Sequence, residues 1–113
     1  MSGWYCKTRV MLRAGSDPDG HGFGPGIEML LSGIDRLGSL NRVAAEMGMA
    51  YSKAWRILKL TEQEFGVQMV ERNGAHGSAL TPAGREFLEN YHQILAAAQQ
   101  AADEAFARCF PGK

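Results

Sequence analysis

Ser52, Lys53, Arg56 and Lys59 place a hydroxyl, two ammonium groups and a guanidinium within little more than two helical turns. On a helix these four positions project from one side. All four are hydrogen-bond donors, and a guanidinium can present two parallel N–H groups to a phosphate or to the edge of a guanine. That is the chemistry of binding a polyanion and reading base edges. Enzymatic chemistry finds no comparable set: there is no nucleophile beside a base and no pair of carboxylates at useful spacing. His21, His76 and His92 are scattered, and Cys6 and Cys109 lie near opposite ends with no CxxC. The sequence therefore reads as a non-enzyme without metal or cofactor, its thiols reduced.

The elements that must hold these donors are helical. From about Ala50 to Phe65, Ala54, Leu58, Thr61 and Phe65 share the opposite, inner face. Just upstream, Ser39 after Gly38 is a good N-cap, and Leu40, Val43, Ala44 and Met47 form a second apolar face. The two patterns meet at Gly48, which outlines a helix-turn-helix over residues 39–65. Spacing alone leaves two readings open, a helix-turn-helix set into a DNA groove and an ordinary helical hairpin with a solvated basic face. Charge is distributed unevenly: Arg42, Lys53, Arg56 and Lys59 face a single anion, Glu46, between Asn41 and Leu60. Acidic residues collect at Glu62, Glu64, Glu71 and along the C-terminal helix.

Around this unit the chain supplies further elements. Trp4 to Leu12 alternates and predicts a strand with one buried face. The stretch from Ala14 to Gly26 is a glycine-rich connector. Gly22, Gly24 and Gly26 resemble a phosphate-cradling loop, and Asp17, Asp19 and His21 resemble alternate cation ligands, but the residues that would complete either motif are missing. A helix should run from Pro25 to Leu37 with Ile27, Leu30, Leu31, Ile34 and Leu37 buried, ending at Gly38. After Gly66, strand-like Val67 to Arg72, the tip NGAHG and the return strand Ser78 to Thr81 predict a two-stranded wing over 67–81. Arg72, Asn73 and His76 stand on or beside its tip. Thr81-Pro82 then opens a long helix that Pro111-Gly112 stops. Its stripe of Phe87, Leu88, Tyr91, Leu95, Ala98, Ala102 and Phe106 is read as a homodimer interface, because a helix of about 40 Å outruns so small a body.

With 113 residues, 45% hydrophobic and 21% charged, the chain is one soluble domain. Residues 1–81 form its winged part and 82–110 the long helix. No apolar run reaches a membrane span and the start is not a secretory signal, so a cytoplasmic location is expected. A formal net charge of zero argues against a nonspecific nucleic-acid coat.

Three blocks in order, GSLNRVAAEMGMAYSKAW, EQEFGVQMVERN and LTPAGREFL, resemble the DNA-binding domain of LysR-type transcriptional regulators. The early strand, the Tyr51, Ala54, Trp55 pattern and the glycine-containing wing before LTPAG look closer still to ModE-type molybdate-responsive regulators. The resemblance implies a mainly α fold with a small β part (α+β), a winged helix-turn-helix. It also implies an N-terminal strand, a two-stranded wing and a long C-terminal dimerisation helix. It implies a sequence-specific DNA-binding transcriptional regulator, a homodimer on an inverted-repeat operator in double-stranded DNA. By position, Ser39, Asn41 and Arg42 would meet the backbone, Tyr51, Ser52, Lys53 and Arg56 the major groove, and Lys59, Arg72, Asn73 and His76 the backbone or wing side. Trp55 reads as packing. The effector domain of the relatives has no counterpart in these residues, so any sensor is expected in a separate effector protein, or to be absent. The rival reading is a winged-helix interaction module that docks on a larger regulator without touching DNA.

Overall fold

The computed structural model describes residues 3–16, 20–74 and 77–113. Among them the order is α1 (Pro25–Leu37), α2 (Leu40–Glu46), α3 (Tyr51–Phe65), β1 (Val70–Arg72), β2 (Ser78–Leu80) and α4 (Pro82–Cys109). The elements begin where local chemistry starts them. Proline occupies the first turn of α1 and of α4. The Ser39 hydroxyl accepts from the Arg42 N–H at 3.2 Å to cap α2, and Thr81 Oγ1 accepts from the Gly84 N–H at 2.9 Å to cap α4. Between α2 and α3 the chain reverses through Met47–Ala50, with the Gly48 and Met49 N–H groups returned to the carbonyls of Ala45 and Ala44. That tight return is the turn of a helix-turn-helix.

One core serves every element. Phe23, Leu30, Leu31, Ile34, Leu40, Leu58, Met69, Val70 and Tyr91 are all fully buried. Phe23 sits 4.8 Å from the Phe87 ring and 5.0 Å from that of Tyr91, and Phe65 lies 5.1 Å from Phe87. Full burial of such side chains stabilises by about 1.5–3 kcal/mol each. β1 and β2 pair antiparallel with Val70 opposite Leu80, Glu71 opposite Ala79 and Arg72 opposite Ser78. Val70 and Leu80 thereby point into the core while Glu71 and Arg72 remain outside.

Three expectations are corrected. The wing strands are shorter than 67–72 and 78–81: the Thr81 N–H still reaches Met69 O at 3.0 Å, but the Met69 N–H turns to Glu62 and the Gln68 carbonyl to the Thr81 hydroxyl, which ends the regular ladder at Val70 and Leu80. The N-terminal strand does not form: Leu12 and Phe23 exchange a single pair of backbone hydrogen bonds, both 2.8 Å, and the rest of 4–12 has no strand partner. Alternation survives, with Cys6, Thr8, Val10 and Leu12 half-buried and Tyr5, Lys7, Arg9 and Met11 exposed. Side chains of α4 take the place of a neighbouring strand. Gln99 accepts from the Thr8 N–H and hydroxyl, both 2.9 Å, and donates to the Cys6 carbonyl at 2.6 Å, while the Tyr91 hydroxyl donates to Val10 O at 2.8 Å. Farther along, Trp4 meets Phe110 edge-on at 5.7 Å.

The third correction concerns the dimer stripe. Leu88 and Tyr91 belong to the chain's own core and Phe87 packs in its aromatic cluster, so these three face inward. Leu95, Ala98, Ala102 and Phe106 are half-buried, and Ile94 on the same helix is exposed. Among the described residues no helix is long and apolar enough to cross a membrane.

The connector is fastened from α3. The Glu64 carboxylate accepts from the Gly22 N–H at 2.9 Å, the Ala14 N–H at 3.2 Å and Arg13 Nε at 3.3 Å. Asp17 and Asp19, the considered cation ligands, lie outside the described residues. These donors, the Gly22 N–H first, hold the Glu64 carboxyl below its ordinary value of 4.5. A carboxyl with a depressed folded value stabilises fully above the ordinary glutamate range and ceases to do so as pH falls through the folded value. The stability gap between wild type and Glu64→Gln, followed by urea denaturation, should therefore shrink between about pH 6 and about pH 3. A second expectation concerns Gly84, where a Cβ would strike the backbone of Met69. Gly84→Ala should lower stability by about 1–3 kcal/mol in the same assay, since backbone cannot swing aside as a side chain would.

Candidate nucleic-acid interface

Helix α3 turns Ala54, Leu58 and Thr61 inward, which leaves Tyr51, Ser52, Lys53, Arg56 and Lys59 exposed on the outside. Lys53, Arg56 and, on α2, Arg42 carry no ion pair among the described residues. Three other arginines are paired, Arg13 with Glu64, Arg36 with Glu46 at 3.5 Å and Arg85 with Asp35 at 2.8 Å, while Lys7, Arg9 and Arg108 share the unpaired state among the described residues. The first two turns of α3 together with Arg42 on α2 thus carry exposed positive charge without a partner carboxylate, free to meet an anion.

The wing is bolted to this helix at two levels. Deep in the fold, the Glu62 carboxylate accepts from the Met69 N–H at 2.7 Å and the Val70 N–H at 3.1 Å. Its other oxygen lies 3.1 Å from Lys59 Nζ. Nearer the surface, the Arg72 guanidinium sits 4.6 Å from the centre of the Trp55 ring, and Lys59 Nζ lies 5.2 Å from the same ring. The tip end of the wing is held separately, by the Ser78 N–H to Gly38 O at 2.9 Å. Gly77, next to it, has a φ of 110°, and a Cβ there would run into Gly38 O, so only glycine fits.

Two polar concavities result, and Arg72 borders both. One of about 330 Å³ gathers Ser39, Asn41, Tyr51 and Arg72 with Gly74, Gly77 and Ser78. The other, about 470 Å³, is lined by Trp55, Lys59, Gln68, Val70, Glu71 and Arg72. The fold thus brings together residues from three stretches that the sequence separates. Asn73 is exposed at the wing tip, with its N–H on Gly77 O. His76 lies outside the described residues. The Ser39 hydroxyl oxygen accepts the α2 cap bond, which leaves its O–H free to donate to an anion. Gln68, Gly74, Gly77 and Ser78 line the concavities without having been singled out from sequence. Wing glycines signalled a tip, but nothing local linked Trp55 to Arg72.

Helix-turn-helix, adjoining two-stranded wing and long following helix together define a winged-helix domain, the architecture of DNA-binding regulatory proteins. Residues 30–85 match the bacterial regulatory helix-turn-helix proteins of the lysR family. A solved structure, "Crystal structure of CbnR_DBD-DNA complex", superimposes with a TM-score of 0.60 and 26% identity over 73% of this chain and 93% of that one. No curated protein matches the sequence. Residues 30–85 accordingly match a LysR-type helix-turn-helix, and the fold is that of a winged-helix DNA-binding domain.

Removing the deep attachment tests this construction. Glu62→Ala leaves two inward N–H groups without acceptors, and the expected loss of stability is about 2 kcal/mol or more. Hydrogen exchange at Met69 and Val70 should accelerate well beyond that of Leu30 and Leu31 under conditions where the variant is still folded.

Proposed function

We propose that the protein is a sequence-specific transcriptional regulator that binds double-stranded DNA as a homodimer on an inverted-repeat operator. The observation that carries this reading is the row of exposed, unpaired donors Ser52, Lys53 and Arg56 on α3, flanked by Arg72 on the wing. A helix presenting such donors enters a major groove with its first turns toward base edges, while a wing follows the backbone or minor groove. Support also comes from the similar solved structure, which is a complex with DNA.

In this reading Ser52, Lys53 and Arg56 read bases, with Tyr51 at the helix start offering its hydroxyl. Ser39, Asn41, Arg42, Lys59, Arg72 and Asn73 anchor the backbone. Dimerisation uses the outer part of α4, Leu95, Ala98, Ala102 and Phe106, together with exposed Ile94. The two copies of α3 then lie about 34 Å apart, one turn of DNA, or a multiple of it. A cytoplasmic site of action and control by a separate effector protein complete the proposal. A link to molybdate metabolism rests on the ModE-type resemblance of the Tyr51, Ala54, Trp55 pattern and the LTPAG block.

Selection of bound duplexes from a random pool should enrich an inverted repeat. If the dimer neutralises on the order of eight phosphates, log affinity should fall against log salt with a slope of about −7. Arg56→Ala should cost about 1–3 kcal/mol and relax preference at one base position. A pool with no enriched duplex would favour the protein-docking module instead.

A further inference from the structure

We propose that Trp55 is a positioning residue for DNA binding: its ring is the platform that holds the Arg72 guanidinium of the wing, and secondarily Lys59, in place to meet one phosphate. This rests on the DNA-binding reading and assigns the residue a task beyond core packing. Trp55 is only 8% exposed, yet it lines the groove between α3 and the wing. Two cations lie against it, Arg72 at 4.6 Å and Lys59 at 5.2 Å, while the Tyr51 ring meets it edge-on at 6.3 Å. Its indole N–H is buried and has no hydrogen-bond partner among the described residues.

A core tryptophan chosen for packing alone would be expected to satisfy that N–H. What the site satisfies is the ring face, whose negative quadrupole attracts guanidinium and ammonium groups. Arg72 has no ion pair among the described residues, so the ring is its charge-attracting neighbour. An arginine held by a ring rather than by a carboxylate keeps its full charge and its N–H donors for an anion. It is also spared part of the entropy of being fixed on binding. Glu62 pins the start of β1 to α3, and the Trp55 ring fixes the end of the same strand, so Arg72 enters the complex already aimed. The ligand chemistry is a phosphodiester oxygen of the duplex backbone.

The test measures affinity of the full chain for a duplex enriched from the random pool, across a series of salt concentrations, for wild type, R72A, W55L, W55F, the double variant W55L/R72A and R56A. R72A removes one phosphate contact from each protomer of the dimer, so it should weaken binding about a hundredfold and reduce the salt slope by about two. W55L should reproduce both changes although Arg72 is intact, and the double variant should be no weaker than either single one. W55F, which keeps an aromatic face and loses the N–H, should recover most of the affinity and the full slope. Losses that multiply in the double variant, or a W55L effect without a change in slope, would show that Trp55 only packs. If R72A binds as wild type while R56A is impaired, the platform idea fails and DNA reading stands. If no duplex is enriched, the DNA reading itself fails, and the platform with it. A second readout works even if W55L does not fold: in Trp4→Phe, Trp55 is the remaining indole of the two in the sequence. Its emission should change on adding duplex, and the change should fall sharply when R72A is added to that background. Emission that ignores the duplex would overturn the proposal.

Discussion

The Glu62 carboxylate is the constraint on which the interface depends. A carboxylate this deeply buried is tolerable only with donors around it, and the Met69 and Val70 N–H groups supply two while Lys59 supplies the third. Those N–H groups belong to the first residues of the wing, so meeting the needs of one buried charge fixes where the wing leaves α3. From that point the ladder of β1 and β2 sets Arg72 opposite Ser78, and the Ser78 N–H closes the far side on Gly38. The separation between α3 and Arg72 is thereby built into the fold rather than left to a loop.

Charge placement follows the same logic. The formal balance of the chain is zero, and its distribution decides what a polyanion would meet. Arg36 and Arg85 each face a carboxylate in exposed pairs that add little stability but cancel positive potential, and Arg13 faces Glu64, which also fastens the connector to α3. Arg42, Lys53 and Arg56 are left uncancelled, and Arg72 rests on an aromatic ring that attracts it without neutralising it. A chain of zero formal charge with a basic patch on the outer side of α3 suits binding that is selective and readily reversed by salt.

Much of this was legible in the sequence, and the limits have physical causes. Helix boundaries were readable because Ser39, Pro25, Thr81 and Pro82 act locally, through caps and first turns. The outer face of α3 was readable because Ala54 and Leu58 fix its phase. The N-terminal strand was misread: alternation reports which side of an extended chain is covered, and Gln99 and Tyr91 cover it here, where a strand would need a partner ladder. Leu88 and Tyr91 share a helical stripe with Leu95, yet the body of the fold covers the first two, and a stripe carries no mark of where the body ends. The contacts of Trp55 with Arg72 and of Glu62 with Met69 and Val70 join side chains across a loop, and no local period announces them.

The central claim is that the outer face of α3 and the Arg72 side of the wing act as one surface toward duplex DNA. An amide-resolved NMR titration with an enriched duplex tests it most directly. The account predicts that the largest shifts fall together on Ser52, Lys53, Arg56 and Arg72 and on the Trp55 indole N–H, saturating at one common duplex concentration. Shifts confined to α4 or to the segment from Trp4 to Leu12, with α3 and the wing unmoved, would contradict it.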